Sequence, residues 1–430
     1  MNIILKIIAV IITSFYFFSF EFLALPGINT KMMLAVVGLA ILLIRMSKER
    51  SSCLKKNIMI LSVYAMIVSV IGFFSVVYNG TLESAYTTYI VSMWVWLASA
   101  YAVVSLIKEV HGKVTPLLIC NYLIAVCAVQ CILSMMIDFV PAVKSVVNAN
   151  IGSMSGMGGA AEFDKRERLY GIGAAVDVAG TRFAAIEVLI AYICVHVRNL
   201  SRLKIILYLM AFWIIAVIGN MVARTTTVGV SMAIIYWIYK SIVDNNESVK
   251  MMWHNLGMVS LFFLPLVIIL YQINPVVNQH IHFGFEGFFS LWNSGTWEVH
   301  SNEVLENMYR FPKTLKTWLI GDGYFENPMS DPYYNGYHWK GFYMGTDVGY
   351  LRFIFHFGLI GLLAFILFFV NVYRTCVENS PNIKRLFLLL LVLNFIIWFK
   401  VSTDLFLVFA LFLCISQNDG DLEEVEEQFI

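Results

Sequence analysis

Uninterrupted apolar runs of roughly 20 residues follow one another from Ile3 to Ile415, and this repetition decides what the chain can fold into. A run of that length crosses the hydrocarbon of a bilayer as a helix, because a helix closes its backbone hydrogen bonds within itself. Of 430 residues, 60% are hydrophobic and only 13% charged, and the mean hydropathy is +0.77. That much apolar surface cannot be enclosed in one aqueous core. The sequence therefore predicts an all-α polytopic integral membrane protein. The net charge of +1 carries no basic patch of the kind nucleic acid demands, so no nucleic-acid partner is expected.

The apolar runs lie near residues 3–20, 32–46, 58–78, 86–107, 117–137, 176–196, 205–221, 226–242, 255–272, 348–373, 386–399 and 405–416, giving about 12 transmembrane helices. The first resembles a signal peptide but lacks a small-x-small cleavage site, so it counts as a helix. Connections alternate in charge. Arg45, Lys48, Arg50, Lys55 and Lys56 fill the second, Lys108 and Lys113 the fourth, Arg198, Arg202 and Lys204 the sixth, and Arg374, Lys384 and Arg385 the tenth. The positive-inside rule places these in the cytoplasm together with both termini, and the odd-numbered connections outside. Residues 1–273 then carry helices 1–9 with an outer loop near 138–175. Residues 274–346 form a large outer loop, 347–416 carry helices 10–12, and 417–430 are an acidic cytoplasmic tail. The Asp-Gly-Asp of that tail sits in a run of like charges at a terminus, which reads as solvated chain rather than a metal site. The seven cysteines fall in predicted helices or cytoplasmic connections, so no disulfide or zinc framework is expected.

Between Val276 and Thr346 stand 17 Phe, Trp and Tyr residues, too many for a disordered loop, and the segment reads as a small folded cap. Ser301 to Leu319 suits an amphipathic helix broken at Pro312. Trp292, Trp297, Trp318, Trp339, Tyr333, Tyr334, Tyr337 and Tyr343, beside Asn293, Asp322, Glu326, Asp331 and His338, form a cluster suited to a carbohydrate. Singly, each aromatic residue suits a membrane anchor better. His280 and His282 alternate like metal ligands without a third partner at fixed spacing, and His356 suits a satisfied intrahelical group.

Charge near the membrane is the sharper signal. Arg168 lies in an outer loop, Arg182 a few residues into the sixth helix, Arg224 at the turn between the seventh and eighth, and Arg352 just inside the tenth. Ionisable groups at such depth are costly and mark a polar path, and guanidinium forks match phosphate oxygens. A phosphate or diphosphate site is the functional reading; pairing of Arg182 with Asp177 or Glu187 is the structural one, although a spacing of five suits it poorly. Asp347 stands where the long loop enters the membrane, where partial desolvation raises a carboxyl toward a pKa useful in a base. It is equally a preferred helix cap. Gly321 and Gly323 flank Asp322 at a turn that lets backbone approach a ligand closely.

These features resemble the O-antigen polymerases (Wzy), which are related to the O-antigen ligases. The resemblance rests on the many-helix layout, the large outer loop before the last helices, and short motifs in a fixed order. They are Arg168-Leu169-x-Gly171, Arg224-Thr225-Thr226, Leu319-Ile320-Gly321-Asp322-Gly323, and Asp347-Val348-Gly349-Tyr350-Leu351 followed by Gly358 and Gly361. The ligases typically carry a histidine where this chain has Asp347, which tilts the resemblance toward a polymerase. It implies an enzyme of the bacterial inner membrane, its long loop in the periplasm, joining undecaprenyl-diphosphate-linked oligosaccharides that serve as donor and acceptor. A chain-length regulator and a flippase would be its partners, with no cofactor or metal. Asp347 would be the base, with Glu162, Asp164 or His338 behind it. Arg168, Arg224, Arg182 and Arg352 would hold the diphosphate, and Asp322, Tyr350, His338, Trp339 and Tyr337 the sugars. A ligase is the alternative within the class. A transporter is the alternative outside it, but the expected internal repeat is not visible.

Overall fold

The computed structural model describes residues 3–49, 56–154, 168–197, 200–244, 247–328 and 341–415. It is mostly helical. In chain order the helices are α1 (Ile3–Phe17), α2 (Thr30–Glu49), α3 (Lys56–Asn79), α4 (Tyr89–His111), α5 (Pro116–Phe139), α6 (Pro141–Asn150), α7 (Val176–His196), α8 (Arg202–Val222), α9 (Thr226–Val243) and α10 (Glu247–Ile273). There follow α11 (Pro275–Gly284), α12 (Glu286–Ser294), α13 (His300–Met308), α14 (Leu315–Leu319), α15 (Gly349–Asn379), α16 (Lys384–Ile397) and α17 (Phe406–Leu413).

Among the described residues nine helices are long and apolar enough to cross a membrane: α2, α3, α4, α5, α7, α8, α9, α10 and α15. The protein is thus a multi-pass membrane protein. The other three expected runs also form apolar helices, but α1 has 15 residues, α16 14 and α17 eight. Side chains sort by solvent. The membrane-length window of α7 is 94% buried and that of α10 only 6%, so α7 is the axis of the bundle. Leu261 and Phe262 of α10 stand among many outward-facing apolar side chains, a surface compatible with lipid and not with water. Where α9 crosses α7, a Cβ on Gly229 would lie 2.3 Å from Ala184 Cα, so a small-residue seam sets their separation.

Two local structures were not visible in the sequence. The Gly- and Ser-rich connection after α5 begins with α6 and then forms β2 (Ile151–Met154), which pairs antiparallel with β1 (Phe20–Phe22) from the α1–α2 connection. And α15 is not one rod: Phe357 and Gly358 leave helical geometry, Gly358 at φ 69°. A break frees carbonyl groups that a membrane cannot solvate. Here Asp322 N donates to Phe355 O at 2.6 Å, Gly323 N to His356 O at 3.1 Å, and Ser75 Oγ to His356 O at 2.6 Å.

Candidate functional site

The Gly321–Gly323 turn therefore approaches protein backbone rather than a ligand. A Cβ on Gly321 would lie 2.5 Å from His356 O, and one on Gly358 2.1 Å from Leu319 O. Asp322 serves the same junction. Its Oδ1 accepts from Lys316 Nζ (2.8 Å) and Thr317 Oγ1 (2.9 Å), so its carboxylate braces the turn. Tyr350 likewise serves the scaffold: its hydroxyl donates to Phe395 O (3.0 Å) and its ring packs edge-on against Phe399, fixing α15 to α16. Tyr337, His338 and Trp339 lie outside the described residues, as do Glu162, Asp164, Asp331, Tyr333 and Tyr334.

Three of the expected residues meet. Arg168, Arg224 and Asp347 line one cavity of about 280 Å³, together with Asp177, Lys400 and His300. Each arrives by a separate device. Arg168 is carried by a segment clamped to α5, where Gln130 donates to Ile172 O (2.9 Å) and accepts from Ile172 N (3.0 Å). Arg224 sits in the tight α8–α9 turn, held because the buried Thr225 donates to Asp177 Oδ1 (3.0 Å) at the first turn of α7. Both guanidinium groups stack on Phe283, at 4.7 and 4.3 Å. Arg224 also donates to Phe283 O (2.8 Å) and Ser301 Oγ (2.9 Å) and pairs with Glu286 (2.7 Å).

Asp347 does not cap α15. Val348 occupies that position with no side-chain cap, and Thr346 Oγ1 accepts from Val348 N instead. Its carboxylate is three-quarters buried, with Arg352 Nη1 3.9 Å away. Burial, with the nearby Asp177 charge, raises its pKa to about 7, against the opposing pull of Arg352 and Lys400. At neutral pH a useful fraction is therefore ionised and still basic enough to accept a proton.

Arg352 and Arg182 do not line that cavity. Arg352 lies between the rings of Phe325 and Phe342, at 3.8 and 3.7 Å, donates to Ser402 Oγ (2.7 Å) and pairs with Glu326 (2.7 Å). Both faces and both terminal nitrogens are engaged, so it positions and polarises Asp347 and has no fork to offer a phosphate. Arg182 is on α7, 4% exposed, and opens into a different cavity. Neither structural pairing weighed for it forms among the described residues: both Glu187 oxygens are buried without a hydrogen bond. His280 turns to Asp138 (3.0 Å) and His282 to Tyr271 (2.8 Å), so they do not converge. His356, in turn, is fully buried, and among the described residues its ring nitrogens meet no hydrogen-bond partner.

Sequence reasoning missed Lys400, placed after α16 and facing Arg168, Arg224 and Asp347. Burial lowers its ammonium pKa below the usual range, and among the described residues no carboxylate lies within 4 Å of it. It also missed a groove of about 740 Å³ that shares Arg224, Ser301 and Lys400 with the cavity. Val228, Ile235 and Tyr239 of α9 face Leu389, Val392 and Ile396 of α16 across it. From Arg224 to Tyr239 the helix rises about 22 Å, most of a hydrocarbon layer of about 30 Å. The arrangement is an apolar channel along the helices with cations and one basic carboxylate at its polar end. No protein-family model, curated protein or solved structure matches the chain.

Proposed function

We propose that the protein is an O-antigen polymerase, a metal-independent glycosyltransferase joining undecaprenyl-diphosphate-linked repeat units on the periplasmic face of the bacterial inner membrane. In this reading α1, α16 and α17 complete 12 spans, both termini are cytoplasmic, and residues 274–346 are periplasmic. The observation that carries it is the junction of groove and cavity: a polyprenyl chain fits the α9–α16 groove and leaves its diphosphate beside Lys400, Arg168 and Arg224. The acceptor hydroxyl gives its proton to Asp347 and its oxygen bonds to the donor's anomeric carbon. The bond from that carbon to the diphosphate oxygen breaks, and the electron pair leaves with undecaprenyl diphosphate. Cations aimed at the departing oxygens stabilise charge where it develops, which is where electrostatic catalysis is worth most.

Deletion and complementation test the reading. A strain without a polymerase makes core lipid bearing a single repeat unit, whereas a strain without a ligase makes core lipid bearing none and keeps polymer on the carrier. We expect the first, with long chains restored by the wild-type gene and not by Arg224→Ala or Asp347→Ala, both inserted at normal levels. Normal chain length on electrophoresis for both variants would sink the site, and polymer held on the carrier would assign the chain to the ligases.

A further inference from the structure

Beyond the segment that carries Ser402 lies a second cavity of about 380 Å³, within the usual range for ligand pockets of about 300–1,000 Å³. Arg182, Lys31, Glu21, Asp404, Trp96 and Ser402 line it. The polymerase chemistry above makes no use of it. Arg182 is more than nine-tenths buried, and its Nε and Nη1 have no hydrogen-bond partner among the described residues. The Lys31 ammonium rests on the face of Trp96 at 4.0 Å. Asp404 Oδ1 accepts from Phe406 N (2.9 Å) and Glu21 Oε2 from Gly27 N (3.2 Å), which leaves one oxygen of each to be met.

Two cations and two carboxylates thus face one space, and among the described residues none of the four comes within 4 Å of an opposite charge. A set of charges that already balances gains nothing from a further net charge, because an added anion would be desolvated beside Asp404 and Glu21. What it lacks is a molecule that accepts from the guanidinium and donates to the carboxylates. A hydroxyl group does both.

We propose that this cavity is a binding site for a neutral, polyhydroxylated ring, a sugar residue of the lipid-linked glycan, held apart from the diphosphate. Naming a glycan residue rests on the polymerase reading; the class of ligand rests on the cavity alone. Ser402 joins the two sites physically, since it lines this cavity while accepting from Arg352, which lies 3.9 Å from Asp347. A ring seated here is felt at the base through one arginine.

Saturation-transfer NMR tests the proposal on the full chain in lipid nanodiscs. The probes are methyl glycosides of glucose, galactose, mannose and N-acetylglucosamine, with inorganic phosphate as competitor. At least one glycoside is expected to bind, and phosphate not to displace it. Asp404→Asn, which keeps the side-chain shape, and Arg182→Gln are each expected to weaken it about tenfold or more, as for a lost hydrogen bond to a charged group. Arg224→Ala is expected to leave it unchanged. Binding of no glycoside, displacement by phosphate, or unchanged binding in correctly inserted Asp404→Asn would each overturn the proposal. If polymer still forms in the Arg224 and Asp347 variants but Asp404→Asn loses the glycoside, the polymerase site is wrong and the sugar site stands.

Discussion

On the proposed polymerase reading, the pH dependence of glycosyl transfer tests Asp347 as the base most directly. Its pKa of about 7 means that it is protonated, and useless as a base, in mildly acid solution, and ionised in mildly alkaline solution. About half the sites are active near pH 7, about a tenth at pH 6 and about nine-tenths at pH 8. A carboxylate at the ordinary value of 3.8 would give no change over that range. Two variants move the midpoint in opposite directions. In Arg352→Gln a positive charge 3.9 Å from the carboxylate is lost. Coulomb attraction at that distance is about 4 kcal/mol at an effective dielectric of about 20. Solvent at the exposed quarter of Asp347 reduces this, and opposite charges at such range lower a carboxyl by about one to three pH units. The midpoint should therefore rise by at least about one unit. In Asp177→Asn a like charge is lost while an acceptor for Thr225 remains, so the midpoint should fall. The assay is single-turnover transfer in proteoliposomes supplied with lipid-linked repeat units, buffered from about pH 5.5 to 9. General damage lowers a profile without moving the two variants oppositely. A flat wild-type profile, or variants that shift the same way, would refute the assignment of the base.

Two further perturbations separate the scaffold from the chemistry. Gly358→Ala places a methyl group where Leu319 O already stands 2.1 Å from the ideal Cβ, and at φ 69° and ψ −174° the backbone lies in a region essentially reserved for glycine that costs other residues about 1–3 kcal/mol, so the expected outcome is a clear fall in thermal stability of the detergent-solubilised protein, and an unchanged Tm would contradict the backbone junction. Lys400→Met removes the cation without a carboxylate partner while leaving the Arg224–Glu286 pair intact; transfer should fall about ten- to a hundredfold with normal insertion, and product inhibition by undecaprenyl diphosphate should weaken in parallel, whereas wild-type values for both would remove Lys400 from the site.

The membrane fold was legible because hydrocarbon imposes one crude requirement, a run of apolar residues, and each of the twelve runs read from the sequence coincides with an apolar helix, nine of them of spanning length. Local geometry was not, because it depends on partners remote in the chain. Gly358 sits in Phe355-His356-Phe357-Gly358-Leu359, which reads as unbroken helix; only Leu319 and Asp322, more than 30 residues away, show that the helix breaks there. Asp322 and Asp347 likewise look alike in sequence. One is consumed by Lys316 and Thr317, and the other faces a cavity lined by Arg168, Arg224 and Lys400, with Arg352 3.9 Å away.

The missed lysine was the more recoverable error. On the topology expected from the positive-inside rule, Lys400 falls in an outer connection, against the charge bias that rule relies on. Arg168 and Arg224 lie in outer connections of that topology too. Counting such exceptions finds the cations but does not rank them. Arg224 is spoken for by Glu286, and Arg352 by Glu326 and two aromatic faces. A cation already in contact with a carboxylate in the resting protein gains less from an arriving diphosphate than one whose nearest carboxylates stand farther off, since catalysis depends on interactions that strengthen as charge develops. On the polymerase reading, Lys400, which has no carboxylate within 4 Å among the described residues, therefore gains more than the paired Arg224 as the leaving group departs, and an arginine-centred reading of the sequence passes over it.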